Sequence, residues 1–238
     1  MLYASSCATS AGQSRGQNRL MPAAVVFDLD GVLIDSEPVW EQVRRQVVAD
    51  HGGRWLPQAQ ARLMGMSTNE WAHYLSEDLG ADLPATAIAD LVISRMADRY
   101  TRRLPLLPGA VEAVASAATR WPLALASSSP PRLIEAALSA AGLRDALRVT
   151  VSTEEVLAGK PAPDVYLLAA ERLDAPAGEC VAVEDSSNGL RAAAAAGMRV
   201  VAVPRPEYPP EPAALAHATV VLDSLRQLTP TLIAALGP

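Results

Sequence analysis

The chain has 238 residues, half of them apolar, with a formal charge of −6 and an isoelectric point near 5.1. An acidic surface argues against nucleic-acid or anionic-membrane partners, and no apolar run reaches the ~20 residues needed to cross a bilayer. The two cysteines, Cys7 and Cys180, are too few for a disulfide framework, and the three histidines are scattered. A soluble protein with one substantial core or a core with a modest insert remains, expected in the cytoplasm as a monomer or weak dimer.

Residues 1–20 are rich in Ser, Gln, Gly and Ala and lack a signal-peptide core, so a disordered tail is expected, with Met21 as an alternative start. The apolar run Ala24 to Phe27 then reads as a short buried strand. It ends in Asp28 and Asp30, which an extended backbone points to one face, and in Gly31, which permits a tight turn. Val39, Val43 and Val47 mark a helix ending near His51, before Gly52 and Gly53. Ser67 and Glu70 fit a capping box opening a second helix with Trp71, Tyr74 and Leu75, and Ile88, Leu91, Val92 and Met96 outline a third. No strand interrupts them. Residues 38–104 therefore form a helical insert between Pro38 and Pro105, with Trp40, Trp55 and Trp71 expected in its core.

From Pro108 helices and strands alternate, the pattern of a parallel sheet. Strands are expected at Leu123 to Ala126, Arg148 to Val151, Cys180 to Val183 and Val200 to Val203, with an edge strand at Ala218 to Leu222. The intervening helices carry Val111, Val114 and Ala118, then Leu133 to Leu138, then about Pro163 to Leu173, then Gly189 to Ala196. The fold class is α/β: a Rossmann-like parallel sheet with helices on both faces, built from residues 21–37 and 105–238, plus the helical cap 38–104.

Three further signals fall where strands end or helices begin. Ser127 follows the apolar run LALA; alone it is a loop serine or a helix cap. Lys160 in GKPAPDVY precedes a helix start, a place that suits a lysine only if an anion is also there. Glu184 and Asp185 close the strand VAV, and beside Asp28 and Asp30 they would concentrate enough negative charge to suit Mg2+, a hard cation that takes oxygen ligands.

Taken together, DLDGVLIDSE, the serine after LALA, GKPAPDVY and VAVEDSSNG resemble, in order, the four motifs of the haloacid dehalogenase-like hydrolases, a superfamily rich in aspartyl-phosphate phosphatases and phosphomutases. The resemblance covers roughly Ala23 to Leu222. It implies Asp28 as nucleophile, Asp30 as general acid and base, Ser127 and Lys160 as phosphate-binding, and Mg2+ held by the Asp28 carboxylate, the Asp30 backbone oxygen and Asp185, with Glu184 acting directly or through water. Asp30 disfavours dehalogenation, because a halide leaving group needs no proton.

The insert separates phosphatase from β-phosphoglucomutase, whose members carry a histidine where this chain has Trp40 and an arginine where it has Thr68. Both departures remove equipment for a bisphosphate, though Arg62, Arg95 or Arg99 would be candidates to replace it. The expected partner is a small phosphorylated metabolite, a sugar or polyol monophosphate. Its non-reacting end would meet Trp40 and the loop Met64 to Asn69, which includes Gly65, Ser67 and Thr68. The alternatives are a sugar phosphomutase and a non-catalytic phosphosugar-binding protein.

Overall fold

The structure is a computed structural model that describes residues 21–63 and 66–237; the tail 1–20 and Gly65 lie outside the described residues. Six parallel strands form one sheet in the order β3-β2-β1-β4-β5-β6. They are β1 (Ala24–Phe27), β2 (Leu123–Ser127), β3 (Val149–Ser152), β4 (Cys180–Glu184), β5 (Arg199–Ala202) and β6 (Val220–Val221). Ten α-helices accompany them among the described residues. Those between β1 and β2 are α1 (Glu37–Asp50), α2 (Ala59–Leu63), α3 (Thr68–His73), α4 (Ala85–Arg102) and α5 (Ala110–Ala118). After them come α6 (Pro131–Ala141), α7 (Asp164–Arg172), α8 (Ser187–Ala195), α9 (Pro212–Leu215) and α10 (Pro230–Ala235).

Strand β1 is apolar throughout because it is buried on both faces, as a central parallel strand must be. Its alternation divides it: Val25 and Phe27 pack on the side of α5 and α6, Ala24 and Val26 on the side of α7 and α8. The first of these clusters continues without a break into Trp40, Val43, Trp71, Ile88 and Met96 of the helices between β1 and α5. Cys180 is buried in the second, where it packs as a small apolar side chain.

Chain order reverses beside β1, since β2 and β3 extend the sheet one way and β4 to β6 the other. Asp28 follows β1 and Asp185 follows β4, so both stand at the crevice such a reversal creates. The two chain segments linking the sheet to the helices run side by side: Asp35 N donates to Pro105 O at 2.8 Å and Leu107 N to Leu33 O at 2.9 Å.

Several local expectations shift. The buried stripe of α1 is Trp40, Val43, Arg44, Val47 and Val48, with Val39 only half-buried. That spacing of i, i+3, i+4, i+7 and i+8 is the full face of a helix, whereas a strict four-residue step drifts off it. Helix α8 starts at Ser187, because Ser186 caps it by accepting from Gly189 N at 3.1 Å. Helices α2, α9 and α10 lie outside the elements that the sequence pattern marks, although Thr229 and Pro230 form an ordinary helix start, with Thr229 accepting from Leu232 N.

Candidate active site

The site begins with Asp28, buried at the end of β1, its backbone N–H bonded to Val183 O of β4 at 3.0 Å. Lys160 arrives from the loop before α7, and its ammonium uses all three protons. It donates to Asp28 Oδ1 at 2.7 Å, to Glu184 Oε1 at 2.6 Å and to Ala126 O at 3.1 Å. These are charge-assisted bonds in a buried setting, the strong class.

Glu184 is completely buried and commits both oxygens to donors. Oε1 takes Lys160 and the Tyr166 hydroxyl, the latter at 2.8 Å; Oε2 takes the backbone N–H groups of Asp185 and Ser186 and the Ser186 hydroxyl. Burial pushes its carboxyl up, but Lys160 and these donors outweigh that and hold it below the ordinary value. Tyr166 belongs to the motif GKPAPDVY, yet only the fold reveals that it braces the acid gripping Lys160.

Asp28 goes the other way. Burial pushes it up to about 8, Lys160 opposes the rise, and Glu184 and Asp30 add to it. Asp185 is raised well above the carboxylate range by burial and by the charges of Glu184 and Asp28. Around the single ammonium of Lys160, the acids are thus more numerous than one cation can satisfy.

Asp28, Glu184 and Asp185 each offer an oxygen within 4.8 Å of the others, and Oδ1 of Asp30 and of Asp185 are buried without a partner. Gly31 has φ of +81°, and a Cβ there would overlap the Asp185 carboxylate. An all-oxygen donor set with orphaned lone pairs and excess negative charge fits a hard divalent cation.

The loop after β2 closes the site from the far side. Ser127 is buried and donates to Asp30 Oδ2 at 3.2 Å, while Ser129 donates to the same oxygen at 2.8 Å. Ser128 and Ser129, not Ser127, line the open cavity of about 510 Å³ above the acids.

Arg205, Tyr208 and Glu211 of the segment after β5 form one further part of the cavity wall, and helices between β1 and β2 form another. Trp40 and Trp71 meet edge to face with ring centroids 6.0 Å apart, and Arg44 stands over both rings, at 4.4 and 5.1 Å. Thr68 lines the cavity and donates to Glu154 of the core at 3.2 Å, whereas Ser67 is exposed and uses its hydroxyl in the capping box of α3. The three arginines singled out in the insert are engaged elsewhere: Arg62 with Asp78, Arg95 with Asp50, Arg99 with Gln42. Arg44 is not among the residues that the sequence motifs mark; its signal is a charge inside the apolar stripe of α1.

A family model described as haloacid dehalogenase-like hydrolase matches residues 22–197. Hexitol phosphatase B of Escherichia coli (strain K12) is 37% identical over 212 residues, 87% of this chain and 94% of its own length. Fructose-1-phosphate phosphatase YqaB of the same strain is 36% identical over 185 residues, 76% and 96% of the two chains. Among solved structures, CbbY from Rhodobacter sphaeroides in complex with phosphate matches with a TM-score of 0.81 at 31% identity, covering 91% of this chain and 100% of that one. The chain belongs to the haloacid dehalogenase-like hydrolases and is a phosphoric monoester hydrolase of that family.

Proposed function

We propose that the protein hydrolyses a small sugar or polyol monophosphate through an aspartyl-phosphate on Asp28, with Mg2+ as cofactor. The observation that carries this reading is the clamp of Lys160 on Asp28 beneath a cavity whose floor also holds Asp30 and Asp185. The named relatives, a hexitol phosphatase and a fructose-1-phosphate phosphatase, support the substrate class.

Asp28 attacks phosphorus in line with the departing sugar oxygen. Lys160 holds the attacking carboxylate in one rotamer and offsets the repulsion between it and the phosphate dianion. Asp30, oriented by Ser127 and Ser129, hands a proton to the leaving oxygen and later takes one from the water that cleaves the acyl phosphate. Ser128 and Ser129, which line the cavity, would meet phosphoryl oxygens there. The carboxylates of Asp28 and Asp185 and the backbone oxygen of Asp30 would hold Mg2+, with Glu184 fixing Lys160 behind them. When bound, the ion supplies positive charge to the transferring phosphoryl group.

The helices within 38–104 act as a cap in this reading. The paired stem at Asp35 and Pro105 and the bond from Thr68 to Glu154 support it, since a lid must be tethered at one end and latch at the other.

The test is inorganic phosphate release from sugar, polyol and nucleotide monophosphates, with and without Mg2+, in wild type and Asp28→Asn. Release that needs Mg2+ and vanishes in the variant is the expected result. Release that survives Asp28→Asn overturns the nucleophile assignment, and conversion of β-glucose 1-phosphate to its 6-phosphate would replace hydrolysis with the mutase reaction.

A further inference from the structure

Three cations line the cavity among the described residues: Lys160, Arg205 and Arg44. Two are already balanced, Lys160 by Asp28 and Glu184, Arg205 by Asp35 at 3.3 Å and Glu207 at 3.4 Å. Arg44 is not. It is 5% exposed, its Nε is buried with no hydrogen-bond partner, and no carboxylate among the described residues pairs with it.

Burying a guanidinium with no carboxylate in contact is costly; Glu37 and Asp30 act on it only from beyond ion-pair distance, and the faces of Trp40 and Trp71 offset only part of the cost. Contact with ring faces does not satisfy the guanidinium N–H groups, the forked donors that match a carboxylate or phosphate, and Nε is left without a partner. The acid nearest in charge effect, Glu37, accepts instead from Gln60 Nε2 at 2.8 Å. Burial has lowered the pKa of Arg44 to about 10, so it remains charged at neutral pH.

We propose that Arg44 is a specificity-determining residue that binds an anionic group, a carboxylate or a second phosphate, at the end of the substrate remote from the transferred phosphoryl. The proposal rests on the phosphatase reading and narrows it from polyol monophosphates in general to those with an acidic far end.

The test uses substrates that differ only at the far end. Sorbitol 6-phosphate ends in a hydroxymethyl group, 6-phosphogluconate in a carboxylate and sorbitol 1,6-bisphosphate in a second phosphate. Wild type, Arg44→Lys and Arg44→Gln are compared by KM and kcat. In addition, Kd is measured on the Asp28→Asn protein, with and without Arg44→Gln, by quenching of tryptophan fluorescence. Wild type is expected to favour one of the anionic-ended compounds over sorbitol 6-phosphate by about 10- to 100-fold in KM, the size of a charge-assisted contact. Arg44→Gln should erase that difference and Arg44→Lys keep part of it; which compound gains shows whether the group is a carboxylate or a phosphate. Equal KM values across the three compounds in wild type overturn the proposal, as does an Arg44→Gln variant that weakens all three alike, which would reduce Arg44 to a brace between the tryptophans. If no compound releases phosphate from wild type, the phosphatase reading fails by itself, and the Kd comparison still decides the role of Arg44.

Discussion

The two ends of the cavity are built by different means. At the acid end, Asp28, Lys160 and Glu184 stand on strand ends or a loop tied to them, and Lys160 and Glu184 leave no hydrogen-bonding capacity unused. At the aromatic end, Trp40, Arg44 and Trp71 stand on two helices, and a donor is left without a partner. A rigid sheet suits the chemistry, which tolerates little displacement. Helix surfaces suit selection, because their side chains can be exchanged without disturbing the frame.

The widest gap between the ends should come from Asp28→Asn, expected to lower kcat by about 10⁴-fold or more while substrate still binds. Steady-state turnover and the fluorescence titration measure the two separately. Asp30→Asn should follow with a loss of about 10²- to 10⁴-fold, the usual range for general acid–base catalysis; an Asp30→Asn enzyme with undiminished turnover would remove Asp30 from the proton path.

Lys160→Met probes the same end through stability. It leaves Asp28 and Glu184 buried together without their cation, so the urea midpoint should fall by the equivalent of about 3–5 kcal/mol. A variant as stable as wild type would show that the acids escape by protonation. Mg2+ should act in the opposite sense, stabilising wild type by about 2.7 kcal/mol at a hundredfold excess over its Kd, with no such gain in Asp185→Asn. Differential scanning calorimetry across a Mg2+ titration reads both proteins. The smallest effect belongs to Tyr166→Phe, which removes one of the donors to Glu184 and should cost about 1 kcal/mol.

The grouping of Asp28, Glu184 and Asp185 was legible in the sequence, since these acids stand at the ends of apolar runs. Asp28 follows VVF, Asp185 follows VAVE, and both emerge at the crevice where the strand order reverses. The direction in which each side chain is engaged was not legible. Ser127, the last residue of β2, reaches Asp30 because β2 pairs alongside β1, a contact across 97 residues of chain. Arg44 was hidden for a related reason: its contact with Trp40 is a neighbour relation on α1, but that with Trp71 depends on how α1 and α3 come together. In the fold, strands came through because burial on both faces makes them apolar. Short helices such as α2 did not, since a buried pair, Ala59 and Leu63, is too little to make a period.

The register of β1 against β4 bears on how the protein comes into being. Ala24 pairs with Cys180 and Phe27 with Val183, so the central strand has one flank open until more than 150 residues of later chain have been made. Such distant pairing closes slowly, because the entropy of the long loop must be overcome before any contact offsets it. A ribosome-bound or C-terminally shortened chain that stops before β4 holds Asp28 on a half-covered strand with neither Glu184 nor Asp185 beside it. If Asp28 acts as proposed, catalytic competence arrives only once the sheet is assembled across its middle, and turnover reports completed folding.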